Sequence, residues 1–165
     1  MSTSFPVATT EAVSASAPRF RRMDSGDSPA MHALEKRCFS LPWSEEQCRA
    51  AFSQKAFAAF GLWRGTALIA YISFYHTADE LEILNLAVCP EERRKGFGRR
   101  VLRQVLQVAC KMDIQNVLLE VRRSNRAAIA LYESCGFRQA GTRPRYYSDT
   151  NEDALIYLHT IQNSL

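Results

Sequence analysis

The chain has 165 residues, of which 47% are hydrophobic and 10% aromatic, enough for a single domain to bury a core without disulfide or metal staples. No apolar run approaches the ~20 residues of a membrane-spanning helix. The formal charge of +4 is modest, so the placement of the cations matters more than their sum: it favours an anionic ligand without requiring nucleic acid.

Residues 1–18 are rich in Ser, Thr and Ala and are expected to form a disordered tail ahead of a domain spanning 19–165. They lack the early positive charge and unbroken apolar centre of a secretory signal; a transit peptide is the rival reading. Residues 19–23 read as a first strand. Asp24 to Ser28 form a turn into a helix that has Pro29 in its first turn and reaches about Cys38. After Ser40, Leu41, Pro42 and Trp43, Ser44 opens a second helix with Gln47 completing a capping box, and Cys48, Ala51 and Phe52 face inward. Residues 57–63 and 67–76 are strand-like, joined by a hairpin at Arg64, Gly65 and Thr66.

The stretch 82–105 organises the rest. Ile83, Leu84, Leu86, Ala87 and Val88 make the nearly continuous apolar run of a strand covered on both faces, which Cys89 and Pro90 stop. A polar loop leads through Arg93, Arg94, Lys95, Gly96, Phe97 and Gly98 into a helix. Its apolar residues Val101, Leu102, Val105, Leu106, Val108, Ala109 and Met112 recur at spacings of three and four. Gly96 and Gly98 leave backbone amides accessible, and Arg93, Arg94, Lys95, Arg99 and Arg100 surround them with positive charge. A pyrophosphate would be held there by amides, helix dipole and cations together. The plainer reading is a helix with a solvated basic face.

Residues 117–121 form a buried strand with Glu120 near its end. Ser124 and Asn125 offer an N-cap to a helix carrying Ala127, Ala128, Ile129, Leu131 and Tyr132, and Gly136 supplies its left-handed cap. Residues 137–141 and 153–160 close the sheet as a hairpin around a polar loop. The five cysteines, Cys38, Cys48, Cys89, Cys110 and Cys135, are dispersed without a C-x-x-C pair, as expected of reduced thiols filling a core in the cytoplasm. His32, His76 and His159 show no ligand spacing, so no metal is expected.

A dinucleotide-binding unit is a rival for the glycine loop, since Glu120 falls ~20 residues beyond it. Against it stand Val101 at the third glycine position, the long loop after Val88 and the hairpins that precede the strand. A Walker phosphate loop is excluded because the run lacks G-x-x-x-x-G-K-[ST].

The spacing Arg93-x-x-Gly96-x-Gly98 after Leu86-Ala87-Val88, with Glu120-Val121, Asn125 and Leu131-Tyr132-Glu133 downstream, resembles the GNAT superfamily of acetyl-CoA-dependent N-acetyltransferases. Within it, Pro42-Trp43-Ser44-Glu45, the run LEVRRSNRAAIALYESCGF, Arg145-Tyr146-Tyr147 and Glu152-Asp153-Ala154 are similar to the ribosomal-protein-alanine N-acetyltransferase type. The resemblance covers nearly all of 19–158. It implies an α/β (α+β) GNAT fold: one mixed, mostly antiparallel sheet of about seven strands with about four helices, splayed at the coenzyme site. The main chain of Leu86, Ala87 and Val88 would pair with the pantetheine arm of acetyl-CoA. Arg93, Arg94, Lys95, Gly96, Phe97, Gly98 and Arg99 would line the pyrophosphate site, and Asn125 would touch the coenzyme from the next helix. Glu120 would be the general base and Tyr132 the general acid, with Trp43, Tyr146 and Tyr147 walling the acceptor channel. The implied acceptor is a protein N-terminus, the N-terminal alanine of small-subunit ribosomal protein eighteen, approached by a cytoplasmic monomer or weak dimer that needs neither membrane nor nucleic acid.

Elementary chemistry agrees with those roles. An α-amine of pKa ~8 is on the order of one-tenth free base at neutral pH, so a carboxylate such as Glu120 must take its proton, directly or through water. A backbone amide near Val88 could stabilise the carbonyl oxygen as it becomes negative, and the phenol of Tyr132 can give a proton to the leaving thiolate. The plain alternatives are a solvated strand-end glutamate, a packed tyrosine and an Asn125 that only caps its helix. Cys89 suggests a covalent acyl-enzyme, but no histidine adjoins it in sequence to activate it. Other readings are an acetyltransferase for other N-termini, a lysine or a small amine, and a non-catalytic ribosome- or RNA-binding module.

Overall fold

The computed structural model describes residues 16–162, so residues 1–15 of the expected tail lie outside the described residues. The chain runs β1 (Arg19–Arg22), a 3-10 turn (Ser25–Asp27), α1 (Ser28–Cys38), α2 (Glu45–Phe52), β2 (Phe57–Arg64), β3 (Ala67–His76) and β4 (Glu80–Val88). A second 3-10 turn (Pro90–Glu92) leads to α3 (Phe97–Lys111), β5 (Asn116–Arg122), α4 (Arg126–Ser134), β6 (Arg138–Tyr147) and β7 (Glu152–Thr160). The seven strands form one sheet in the order β1-β2-β3-β4-β5-β7-β6, and every neighbouring pair is antiparallel except β4 with β5.

Local chemistry sets the helix ends. Gln47 N donates to Ser44 Oγ at 3.1 Å while Ser44 N donates to Gln47 Oε1 at 2.8 Å, the reciprocal box that starts α2. Asn125 Oδ1 accepts from Ala128 N at 3.2 Å to start α4, and Gly136, at φ +88°, follows its end.

Each face of the sheet has its own core. Val101, Leu102, Val105 and Ala109 of α3 and Ile129 and Tyr132 of α4 pack with Ile83, Leu119 and Val121 on one face. Met31 and Leu34 of α1 and Cys48 and Ala51 of α2 pack with Phe57, Tyr71 and Ala87 on the other.

Two expectations are corrected. The closing hairpin's first strand extends to Tyr147 rather than ending at Gly141. Pro144 and the arginines around it read as a loop, but β6 is an edge strand, where a missing amide and exposed charged side chains cost little. Among the cysteines Cys48 is buried, but Cys110 is exposed and Cys38, Cys89 and Cys135 are only partly covered, so the core reading holds fully for one of the five.

The functional geometry begins where the sheet opens. β4 and β5 pair only from Glu80↔Asn116 to Ile83↔Leu119, whereas β4 stays paired with β3 as far as Val88↔Ala70. The register slips between Ser73 and Phe74, which oppose Asn85 and Ile83, so Leu84 is an extra residue in β4. A bulge bends its strand. Beyond Leu84 the edge of β4 that faced β5 is unpaired, leaving a notch in the sheet.

Candidate active site

Glu120 is the first residue of β5 after its pairing with β4 ends. Val117, Leu119 and Val121 turn into the α3/α4 core, so strand alternation directs Glu120 to the opposite face. Its side chain is 17% exposed, and Oε1 lies 2.6 Å from Arg143 Nε. Tyr146 hydrogen-bonds the same carboxylate, and that bond, more than partial burial, raises the Tyr146 phenol pKa. A register slip between Arg143 and Tyr147, with Arg145 at φ +51°, marks a bulge in β6 just where Tyr146 is aimed at Glu120.

Arg143 was not among the residues singled out in the sequence. Its signal is the ladder alone: Arg122 opposes Ala154 and Ala154 opposes Arg143, which puts both arginines on the face that carries Glu120.

Tyr132 sits near the end of α4, 7% exposed, its ring centroid 5.8 Å from that of Phe137. Burial raises the phenol pKa well above its ordinary value and the nearby Tyr147 adds to the shift, so the hydroxyl holds its proton at any physiological pH. Tyr147 is pushed up to about 12, chiefly by burial, while Arg122 stacked 3.9 Å over its ring pulls the other way. These phenols are proton donors rather than bases.

The glycine loop has the form of an anion site. Arg94 and Gly96 take left-handed φ values of +64° and +83°, and a Cβ built on Gly96 would meet nothing within 4 Å. α3 starts without a side-chain cap and with no acidic residue in its first turn, leaving the positive end of a 15-residue helix open. Gly98 meets a different need. A Cβ there would lie 3.3 Å from Leu131 Cδ2 and 3.5 Å from Val88 Cγ2, so its absence lets this turn approach both β4 and α4. The residues present therefore fit a pyrophosphate over α3 and an extended arm along the open edge of β4 carrying Leu86, Ala87 and Val88.

The loop's cations are employed differently from one another. Arg93 Nε donates to the Val88 carbonyl at 3.1 Å, fixing the end of β4. Lys95 pairs with Glu92 at 3.2 Å, and Arg64, which lies over the Phe97 ring, pairs with the same carboxylate at 2.5 Å. Arg99 donates to Ser134 Oγ at 3.1 Å and Arg100 to the Pro18 carbonyl at 2.9 Å. Asn125 has its carbonyl oxygen engaged in capping α4. Cys89 lies between Arg37 and Glu91, and burial together with the hydrogen bond to Glu91 raises its thiol pKa, the opposite of what a nucleophile needs.

On the face that carries Glu120, the α1–α2 loop and the β6–β7 loop meet. Ser40 Oγ donates to Asp149 Oδ2 at 2.8 Å, and Arg122 holds both oxygens of Asp149 at 2.9 and 2.8 Å. Trp43 packs against Phe57 with centroids 6.3 Å apart, while Tyr146 is 49% exposed. Among the described residues there is no cluster of three or more metal-ligating side chains and no helix long and apolar enough to cross a membrane.

The model of the acetyltransferase (GNAT) family matches residues 28–137. The chain belongs to the GNAT acetyltransferase family. The ribosomal protein bS18-alanine N-acetyltransferase of Escherichia coli (strain K12) is 37% identical over 136 residues, covering 81% of this chain and 91% of that one. The crystal structure of the ribosomal-protein-S18-alanine N-acetyltransferase from Escherichia coli superposes with a TM-score of 0.84 at 33% identity, covering 90% of this chain and 97% of that one. Arabidopsis thaliana NAA60 in complex with acetyl-CoA shares the fold at a TM-score of 0.78 and 16% identity, covering 88% of this chain and 99% of that one. In this GNAT chain the open edge of β4, the uncapped α3 and Glu120 converge on one notch. The chain is thus an N-acetyltransferase by family, and its relatives in Escherichia coli are named for a ribosomal alanine.

Proposed function

We propose that this GNAT enzyme transfers the acetyl group of acetyl-CoA to a protein α-amine, the N-terminal alanine of ribosomal protein S18, by direct attack with Glu120 as base and Tyr132 as acid. The observation that carries this reading is the position of Glu120 as the first residue of β5 beyond its pairing with β4, beside the notch.

The coenzyme supplies the acetyl thioester. Its pyrophosphate is held by the amides of the first turn of α3, with Arg94, Lys95, Arg99 and Phe97 around it, and its arm lies along 86–88. Asn125 caps α4 beside it. The acceptor enters between Trp43, Tyr146 and Tyr147. Glu120 takes a proton from the α-ammonium and passes it to solvent, the amine nitrogen bonds to the acetyl carbon as the carbon–sulfur bond breaks, and the phenol of Tyr132 gives its proton to the departing sulfur. The nitrogen then loses its second proton to Glu120, leaving the neutral amide, and the Tyr132 phenolate regains a proton from solvent. Burial keeps the Tyr132 phenol protonated, as a donor must be, while making it a weaker acid than an exposed phenol. Cys89, with its raised thiol pKa, suits no covalent step.

The choice of acceptor is supported by the relatives named for that alanine. Family membership favours an enzyme over a non-catalytic RNA-binding module. The test is incubation with acetyl-CoA and synthetic peptides, read by mass at the α-amine. Ala-first peptides with the S18 sequence are expected to gain one acetyl group, and equal labelling of lysine-only peptides would overturn the N-terminal assignment.

A further inference from the structure

Glu35 is a charged side chain in the core that the reaction does not use. It is 1% exposed, near the end of α1. Among the described residues no cation pairs with it, and its carboxylate is satisfied by neutral donors from three places in the fold. The Tyr71 hydroxyl of β3 and Asn85 Nδ2 of β4, the latter at 3.1 Å, donate to Oε1. The Trp43 amide donates to Oε2 at 3.0 Å.

A buried carboxylate is costly and persists only when fully hydrogen-bonded. Burial raises its pKa, while the Tyr71 hydroxyl and the Trp43 amide pull it back.

What the carboxylate joins gives it meaning. Asn85 directly follows Leu84, the extra residue where β4 leaves β5. Trp43 ends the loop between α1 and α2, and its carbonyl lies 2.7 Å from Nδ1 of His32, one helical turn before Glu35. Two neighbouring side chains of α1 therefore grip both backbone polar groups of Trp43. The same loop reaches Asp149 through Ser40.

We infer that Glu35 is a positioning residue for the acceptor: it locks Trp43 and the α1–α2 loop to the bulge at Leu84 and Asn85, fixing the acceptor wall relative to the coenzyme edge of β4. The inference rests on the proposed reaction. Glutamine fits the same space but offers one acceptor oxygen where three donors converge. Either the Trp43 amide loses its partner or Tyr71 and Asn85 must turn to accept from the new NH2, so Glu35→Gln loosens the wall without emptying the core.

The experiment measures steady-state kinetics of wild type and E35Q with an Ala-first peptide, acetyl-CoA binding by calorimetry and thermal unfolding. E35Q is expected to raise the peptide KM about tenfold or more, as displaced binding groups do, with kcat and acetyl-CoA affinity near wild type. A merely structural role would lower the melting temperature and the active fraction but leave the peptide KM in place, and that result overturns the inference. If E35Q does not fold, Asn85→Ala removes one donor while keeping the carboxylate; a raised peptide KM supports the inference and an unchanged one overturns it. Failure of the wild type to acetylate any Ala-first peptide would instead sink the proposed function.

Discussion

Glu120 Oε1 and Arg143 Nε are 2.6 Å apart although β7 lies between their strands. Arg143 opposes Ala154, two residues along β7 from the Ile156 that opposes Glu120. Its long side chain therefore reaches diagonally over the small Ala154, across two strand spacings of about 9.6 Å and an offset along the strands. In the proposed reaction the guanidinium holds the carboxylate that the acceptor ammonium must reach, and with 58% of its side chain exposed it can swing aside. Glu120→Gln keeps the shape and loses the base. The expected result is a fall in kcat of about 10²–10³, within the range that general-base groups supply. Acetyl-CoA affinity should change little, because the proposed coenzyme site on α3 and the edge of β4 does not include Glu120; calorimetry beside steady-state assays checks both.

Tyr132 makes a prediction about pH. Burial raises its pKa, so the proton-bearing form needed of an acid persists to higher pH than for an exposed phenol. The profile of kcat/KM should therefore rise as the acceptor amine loses its proton near pH ~8 and show no falling limb below about pH 10. Tyr132→Phe should lower kcat by about 10²-fold or more and leave the rising limb in place. A wild-type profile that falls between pH 8 and 9 would remove Tyr132 as the donor.

The helices and the notch strand were legible because their signals are local. Ser44 and Gln47 state a capping box, Gly96 and Gly98 mark the loop, and the stripe from Val101 to Ala109 fixes the face of α3. The full length of β6 was hidden because Pro144 reads as a break, and only its place at the sheet edge makes it tolerable. The partners Arg143 for Glu120, and Tyr71 and Asn85 for Glu35, were hidden for a different reason. They meet through strand register and a one-residue bulge, which no window of sequence contains.

Gly96 and Gly98 should fail differently when replaced. Gly96→Ala has room for its methyl group but must hold φ near +83°, a left-handed strain of about 1–2 kcal/mol for an L residue. Gly98→Val keeps an ordinary helical backbone and drives its branches into Leu131 and Val88. The second variant should push the first turn of α3 off β4 and weaken acetyl-CoA binding at least as much as the first, while a valine at exposed Arg103 serves as control. Calorimetric titration with acetyl-CoA separates them, and undiminished binding by Gly98→Val would mean that this turn does not hold the coenzyme.

The bridge from Ser40 through Asp149 to Arg122 joins the α1–α2 and β6–β7 loops, between which the acceptor is proposed to enter. Hydrogen bonds from Ser40, then from Arg122, lower the Asp149 pKa. A carboxylate with a depressed pKa keeps its contribution above its unfolded value near 3.8 and loses it only as pH falls through the lower folded value. The bridge is therefore intact throughout any assay between about pH 6 and 9, and its effect there should be flat with pH. Being exposed, it contributes little to global stability, so Asp149→Ala should leave the melting temperature nearly unchanged. Its consequence falls on the acceptor: with the loops uncoupled, the peptide KM should rise roughly three- to tenfold, the scale of one ordinary net hydrogen bond. High salt should raise the wild-type KM toward that of the variant, since it screens an exposed pair. An unchanged peptide KM in Asp149→Ala at low salt would show that the two loops do not need each other to receive the acceptor.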